Sequence, residues 1–261
     1  MRSPTGMRRL LLGGLLLAAC AGCTTPGGRA DAELRKRQAR SHYDIGLDHL
    51  QNGRVELGLR ELLAAERLDP RDERIHNSLG VTYYQKGRAD EGERHLRRAL
   101  ELRPDCHEAR FNLSVLLLRE ERFAECIAES QRLFDDPTFV APWRALTMRG
   151  WCEYKSGQVA EARRLLELSR DYDARDWSTL LNLAILEADQ GNRRQAVALF
   201  EQVLALRPGP SAEAEANYRL GELYAALGER ERAVSHLAAA VQKAPNGPWG
   251  KKSEESLKRL R

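Results

Sequence analysis

Apolar and small residues recur along this chain with a spacing of 34 positions. Gly46 and Gly80 stand 34 residues apart, each after an apolar residue, and Pro70 and Pro104 share the same spacing. Between each glycine and the proline that follows it lie further apolar and small residues. Small positions allow two helices to approach closely, and proline ends the second helix because it lacks an N–H. The pattern therefore predicts successive pairs of antiparallel helices.

The skeleton of Leu-Gly, Tyr, a small residue, an apolar residue, Ala and Pro resembles the tetratricopeptide repeat, a helix-turn-helix unit. The resemblance implies an all-α fold, a right-handed superhelical solenoid of six repeats. The third repeat departs most from the pattern, since Leu113-Ser114 replaces Leu-Gly. Array ends need polar outer faces, so we expect a charged helical extension over 31–40 and a capping helix over 248–261. The six windows run over 39–72, 73–106, 107–140, 143–176, 177–210 and 214–247.

The N-terminus combines basic residues with a short apolar run. Arg8 and Arg9 precede an apolar stretch of 10 residues, 10–19. At about 1.5 Å per residue, this stretch spans roughly half of a bilayer core of about 30 Å. A basic region, a short apolar region and small residues at a cleavage site are typical of a secretory signal. We therefore expect 1–19 to be a signal peptide and the chain to be exported.

The end of the apolar run, Leu17-Ala18-Ala19-Cys20, resembles the bacterial lipobox, in which the cysteine is acylated. Cys23 also follows small residues, but Cys20 instead of leucine stands three positions before it, so Cys20 is the favoured lipidation site. Several acyl chains give lasting membrane attachment without a spanning helix. Ala21 after the cysteine implies the periplasmic face of the outer membrane. We expect 20–38 to form the lipidated tether and the start of the first helix.

The charge of the chain and the positions of its histidines argue against several classes of function. The formal net charge is +4, but without the three arginines of 1–19 the chain has 39 basic and 38 acidic residues. No long basic block is present, which argues against a nucleic-acid partner. Six histidines are scattered over separate repeats without a catalytic or metal-binding motif. We therefore predict a protein that is not an enzyme and has no metal, cofactor or small-molecule substrate.

The first helices of tetratricopeptide stacks line the concave face, with positions 2, 5, 9, 12 and 13 of each repeat pointing into it. A contiguous exposed apolar stripe of the size predicted here normally marks a partner site. The alternative is that the neighbouring helix partly covers some of these residues. Tyr84, Phe111 and Trp151 are the expected anchors. The whole predicted groove consists of Tyr43, Leu47, Leu50, Asn77, Val81, Tyr84, Phe111, Val115, Leu118, Trp151 and Tyr154.

The chain departs from the repeat spacing between the third and fourth windows. The sequence there runs from Asp136-Pro137 to Pro142-Trp143, and Cys152 follows in the next predicted helix. With the lipobox and the repeat count, this segment resembles the pilotins of type IV pili, the PilF, PilW and Tgl type, and resembles Tgl most. The resemblance implies a protein that binds secretin subunits at the outer membrane. It would promote their assembly into the multimeric channel of the type IV pilus machine.

The family resemblance also bears on the cysteines. Some relatives pair the cysteine of the fourth repeat with one at the position that Leu118 occupies here. Cys126 is the nearest substitute, and a disulfide between Cys126 and Cys152 would add roughly 3 to 4 kcal/mol in an oxidising compartment. Two buried thiols are an equal alternative. Cys106 is expected to be unpaired.

A second function fits the same fold. A tetratricopeptide lipoprotein can also act as a scaffold for peptidoglycan hydrolases or synthases, and the segment 136–142 argues against that alternative. An enzyme with appended repeats is not expected, because the residues outside the predicted array leave no room for a catalytic domain of ordinary size.

Overall fold

The computed structural model describes residues 26–260, which form 13 α-helices without a strand. Cys20, Cys23 and the predicted signal peptide lie outside the described residues. The number of repeats stays a prediction from the spacing. The helices are α1 (Pro26–Gln51), α2 (Val55–Leu68), α3 (Glu73–Gln85), α4 (Ala89–Leu102), α5 (His107–Arg119), α6 (Phe123–Asp135), α7 (Pro142–Lys155), α8 (Val159–Tyr172), α9 (Trp177–Asp189), α10 (Arg193–Ala205), α11 (Pro210–Ala226), α12 (Arg230–Lys243) and α13 (Pro248–Arg259).

Each odd-numbered helix from α1 to α11 packs antiparallel against the helix that follows it. In the pair α3 and α4, a Cβ on Gly80 would lie 2.6 Å from Leu96, and one on Gly92 would lie 3.2 Å from Tyr84. Residues further along one helix therefore meet residues further back on the other, which defines the antiparallel arrangement. Only hydrogen at Gly80 allows this approach, so the spacing of Leu-Gly steps in the sequence reflects a packing requirement.

The odd-numbered helices also form a layer of their own. Besides their contacts within pairs, α3 contacts α5, α5 contacts α7, and α7 contacts α9. The even-numbered helices lie further from one another. In a curved stack the helices that are closer together line the inner side, so the odd-numbered helices face the concave surface.

The turns inside the helix pairs require backbone with positive φ. Five of these turns use glycine, for example Gly87 with φ 74° and Gly157 with φ 90°. The turn between α5 and α6 places Glu121 at the equivalent point with φ 57°. A residue with a Cβ is strained in this conformation. The pair α5–α6 therefore departs from the pattern in its turn as well as in its sequence.

The N-terminal end of the array begins earlier than the helical extension expected over 31–40. Helix α1 begins at Pro26, so Gly27 and Gly28 belong to the helix. Proline is well tolerated in the first helical turn, where its missing N–H has no partner to lose. Helix α13 packs against α11 and α12 and covers the end of the stack.

None of the helices within 26–260 combines the length and the apolar character that crossing a bilayer requires.

Candidate protein-binding groove

The eleven residues predicted to line the groove all lie on α1, α3, α5 and α7, the helices of the concave side. All eleven are half-buried, and none is among the exposed large apolar side chains. The expectation of an exposed stripe is corrected in this respect. On α3, α5 and α7 the neighbouring odd-numbered helices are in contact and can cover part of these side chains.

Arginines from the next helix pair lie over two of these aromatic rings. The guanidinium of Arg74 lies 5.7 Å from the ring centre of Tyr43, and that of Arg144 lies 4.4 Å from the ring centre of Phe111. Both arginines stand at the second position of their predicted windows. A cation over an aromatic face is attracted by the ring quadrupole, so these contacts hold the rings in place. The concave face therefore presents aromatic rings beneath a basic rim.

The centre of the concave face contains a hollow of about 370 Å³. Phe111, Met148, Trp151 and Trp177 supply apolar walls, and Arg144 and Asp176 supply one charge of each sign. Trp177, the first residue of α9, is 37% exposed. Large aromatic side chains around a concave surface are the residues that most often carry binding energy at protein interfaces.

A second hollow, of about 710 Å³, continues from the first toward the C-terminal end. Trp151 and Asn182 line both hollows, so the two form one surface. Basic and acidic side chains also face the second hollow, among them Lys155 and Glu215. We call this continuous surface the groove. Its apolar residues are Phe111, Leu118, Phe123, Met148, Trp151, Trp177, Leu181, Ile185 and Trp249.

Trp151 is held at the junction of the two hollows. Its ring stacks on Tyr154 with 4.9 Å between centroids, and Lys155 Nζ lies 5.7 Å from the ring centre. The Tyr154 hydroxyl donates to Asp189 on α9. Burial and this hydrogen bond to a carboxylate raise the pKa of Tyr154 to about 12, so its hydroxyl stays protonated. The anchor is therefore fixed before any partner arrives, which lowers the entropy cost of binding.

The remaining predicted groove residues lie outside the two hollows and have structural contacts. Tyr43 and Leu50 pack against the buried cluster between α2 and α3, and Tyr84 packs against the cluster that contains the two predicted disulfide cysteines. Asn77 Oδ1 accepts a hydrogen bond of 2.9 Å from Asn112 on α5. For Leu47, Val81 and Val115 the structure shows half-buried positions on the concave helices.

Sequence reasoning missed several groove residues. Leu181 and Ile185 occupy the fifth and ninth positions of the fifth window, the same positions that identified Phe111 and Val115 in the third. Applying the pattern to all windows would have found them. Trp177 and Trp249 stand outside those positions, so only the packing of α9 and α13 reveals them.

The segment between α6 and α7 is an ordered turn. Asp136 Oδ1 accepts hydrogen bonds from the Thr138 N–H at 2.9 Å and from its hydroxyl at 2.6 Å, and His107 Nε2 lies 3.0 Å from Asp136 Oδ2. These bonds hold the pKa of Asp136 at about 2. The ring of Phe139 packs edge-on against His107, with 5.2 Å between centroids. Val140 then projects into solvent with 89% exposure.

The cysteines of α6 and α7 lie side by side. The structure joins Cys126 to Cys152 with 6.3 Å between their Cα atoms, within the usual range for a disulfide. Both are fully buried next to Leu116 and Leu117. Cys106 is buried and free.

Two of the six histidines are not scattered as the sequence suggested. His76 on α3 and His95 on α4 are buried, with 3.1 Å between their Nδ1 atoms. Glu66 on α2 approaches both rings. The antiparallel packing of α3 on α4 brings together residues 19 positions apart, and motif searches for closely spaced ligands do not detect such a pair.

Comparison with known proteins gives a family and a set of similar folds. One tetratricopeptide repeat profile matches residues 43–93, 82–138 and 181–248, and a second matches residues 143–167. The sequence matches none of the curated proteins.

Among solved structures, PilW, a widely conserved type IV pilus biogenesis factor, is similar with a TM-score of 0.70 and 20% identity; the match covers 82% of this chain and 96% of PilW. PilF of Pseudomonas aeruginosa is similar with a TM-score of 0.66 and 18% identity, covering 85% of this chain and 99% of PilF. A tetratricopeptide repeat protein from Parabacteroides merdae is similar with a TM-score of 0.72 and 18% identity; the match covers 89% of this chain and 91% of that protein. Likeness at these identities establishes the fold alone.

Proposed function

We propose a protein-binding function for this chain, which belongs to the tetratricopeptide repeat family. It is an outer-membrane lipoprotein pilotin of the Tgl type, attached through Cys20 on the periplasmic side. It binds secretin subunits and promotes their assembly into the multimeric channel of the type IV pilus machine. The protein contributes a surface and a location, and no step of the proposal requires catalysis.

The groove carries this proposal. Phe111, Trp151 and Trp177 surround one hollow, and the nearly buried Leu181 and Ile185 line the floor of the other. A groove of this kind suits an amphipathic segment that buries apolar side chains between the aromatic anchors. Unassembled subunits of a membrane channel expose such segments until they oligomerise. Covering them prevents unproductive association at the membrane surface.

On α4 and α6 the outer face of the stack carries charged side chains that are paired with one another. Glu93 on α4 accepts hydrogen bonds from Arg97 and from Arg122, and Arg122 also bonds Glu125. Charged groups that are already paired with one another gain little from a partner. The concave side, where aromatic side chains such as Trp151 and Trp177 stay partly accessible, is therefore the favoured binding face.

Two further observations support a pilus-related partner. The fold is similar to that of PilW, a type IV pilus biogenesis factor. The turn over 136–141, whose sequence resembles the break in pilotins, is held by Asp136, Thr138 and His107 and displays Val140. A rigid turn with an exposed apolar tip suits a second contact with the same partner.

The membrane anchor supplies proximity. Attachment through acyl chains confines the protein to the surface where secretin subunits assemble, which raises their effective concentration around the groove. Replacing the acyl site, Cys20→Gly, is expected to leave a folded protein but few detergent-resistant secretin multimers. Normal multimer levels with the protein free in the periplasm would overturn the anchoring part of the proposal.

The groove is tested separately with charge. We expect Trp177→Glu combined with Arg144→Glu to abolish binding of the purified full chain to secretin subunits, because it places two acidic groups at the central hollow. Tyr172→Glu is the matched control, since Tyr172 is an exposed aromatic residue on α8 outside the groove. Equal secretin affinity for the groove variant and the control would refute the groove assignment.

A further inference from the structure

In each helix pair, one residue of the first helix faces the residue of the second helix that comes 19 positions later in the chain. In three of the pairs these two facing side chains are chemically complementary. In two other pairs both positions hold buried leucine. The complementary pairs are His42 with Glu61 at 2.7 Å, Arg110 with Glu129 at 2.8 Å and Asn217 with His236 at 2.9 Å.

The pair α3–α4 breaks this rule. Its two positions hold His76 and His95, whose side chains are buried and whose Nδ1 atoms face each other at 3.1 Å. Two imidazoles provide neither the acidic partner that His42 and Arg110 have nor the amide partner that His236 has. The nearest acid is Glu66 on α2, with Oε1 3.7 Å from His76 Nδ1 and 3.8 Å from His95 Nδ1.

The three facing atoms have the dimensions of a metal site. They all lie within 4.8 Å of one another. A point equidistant from them lies about 2.1 Å from each atom, which equals the usual zinc–nitrogen and zinc–oxygen distances. Two imidazoles and one carboxylate form a ligand set that binds divalent transition metals.

The groups around the cluster orient these lone pairs. His76 Nε2–H donates to the Pro70 carbonyl at 3.0 Å, so the Nδ1 lone pair of His76 is left either to accept from the facing His95 Nδ1–H or to bind an ion. Metal-binding histidines are oriented in this way by a hydrogen bond from their other nitrogen. The His95 ring stacks on Tyr83, with 5.3 Å between centroids. Burial lowers the pKa of His95 to about 4, so this ring is neutral at pH 7.

We propose that Glu66, His76 and His95 bind a divalent transition-metal ion of the Zn²⁺ class. His76 Nδ1, His95 Nδ1 and Glu66 Oε1 are the protein ligands, and water completes the coordination. The ion connects α2 of one helix pair with α3 and α4 of the next. It therefore strengthens the N-terminal end of the array and leaves the groove unchanged.

The test measures Zn²⁺ binding to the purified full chain in detergent by titration calorimetry. We expect one ion per chain, and His76→Asn should weaken its affinity by more than tenfold because one ligand is lost. This variant recreates the Asn–His pair of α11–α12, so it retains a complementary pair in the fold. His236→Gln is the matched control, because it removes a histidine from the equivalent position of another helix pair.

Two additional measurements separate loss of ligand from loss of fold. Glu66→Gln changes a partly exposed side chain, so it should keep the helical circular dichroism spectrum and still weaken Zn²⁺ binding. Co²⁺ bound to the wild-type chain should show visible absorption of nitrogen and oxygen coordination, without the thiolate charge-transfer band that cysteine ligands give. Equal Zn²⁺ affinity of wild type, His76→Asn and Glu66→Gln, or an absence of Zn²⁺ binding to the wild type, would overturn the proposal.

Discussion

Reduction of the bond between Cys126 and Cys152 provides a local test of the structure. The two cysteines are 26 residues apart in sequence, and closing a loop of this length stabilises the folded state by about 3.5 kcal/mol in the chain-entropy account. In a repeat array each unit contacts only its neighbours, so the loss should remain near α6 and α7. We therefore expect a regional effect instead of a uniform decrease in stability.

Hydrogen exchange resolves this effect along the chain. After reduction, amides in the middle of α6 and α7 should exchange roughly 300-fold faster, the equivalent of about 3.5 kcal/mol, while amides in α12 should keep their rates. The variant Cys126→Ala with Cys152→Ala should exchange fast under both conditions. Cys106→Ala, which removes the buried free thiol, should respond to reduction like the wild type.

Equal exchange in α6 and α7 before and after reduction would refute the reasoning. The protein isolated from the cell envelope must also be lighter by two hydrogens than its reduced form. Two free thiols in that material would mean that the cysteines are buried side by side without a bond, the alternative that the sequence left open.

Three further predictions concern single positions. Glu121→Gly should raise the free energy of unfolding by about 1 kcal/mol in urea titrations, since glycine relieves the positive φ. Gly221→Ala should lower it by about 1–2 kcal/mol because its Cβ would lie 2.5 Å from a buried leucine, whereas Gly46→Ala, with 3.2 Å, should change it by less than about 0.5 kcal/mol. The pKa of Asp136 is lowered, so its stabilising effect is complete above about pH 4 and is lost as pH falls through 2; the Thr138 amide resonance should titrate there, and Asp136→Asn should remove that titration. Equal destabilisation at the two glycines, no gain at Glu121, or a Thr138 midpoint near 4 would contradict the respective arguments.

The helix pairs could be predicted because their packing constrains single residue types. Gly80 must be small to admit Leu96, and the turns require positive φ, so both features appear at fixed intervals in the sequence. The same repeat spacing also predicts which helices line the concave face. It does not predict how far the groove extends, because Trp177 and Trp249 line the groove only through the packing of α9 and α13. It also does not predict that Phe111 is half-buried, because this depends on the position of Arg144.

The 34-residue repeat spacing did not predict which residues of different helices contact one another. Cys126 and Cys152 come together across two helix pairs, and the sequence left a disulfide and two thiols equally open. His76 and His95 looked unrelated because they are 19 residues apart. The antiparallel packing of each pair creates a constant separation between facing positions, so a search at that separation would have found them.

Co-purification from gently solubilised outer membranes tests the central claim most directly. The wild-type protein and the Tyr172→Glu control are expected to retain a secretin as the main bound protein, identified by mass spectrometry. The variant carrying Trp177→Glu and Arg144→Glu should lose it, because its central hollow is charged. Secretin retained equally by the groove variant, or peptidoglycan hydrolases and synthases as the main bound proteins of the wild type, would contradict the account.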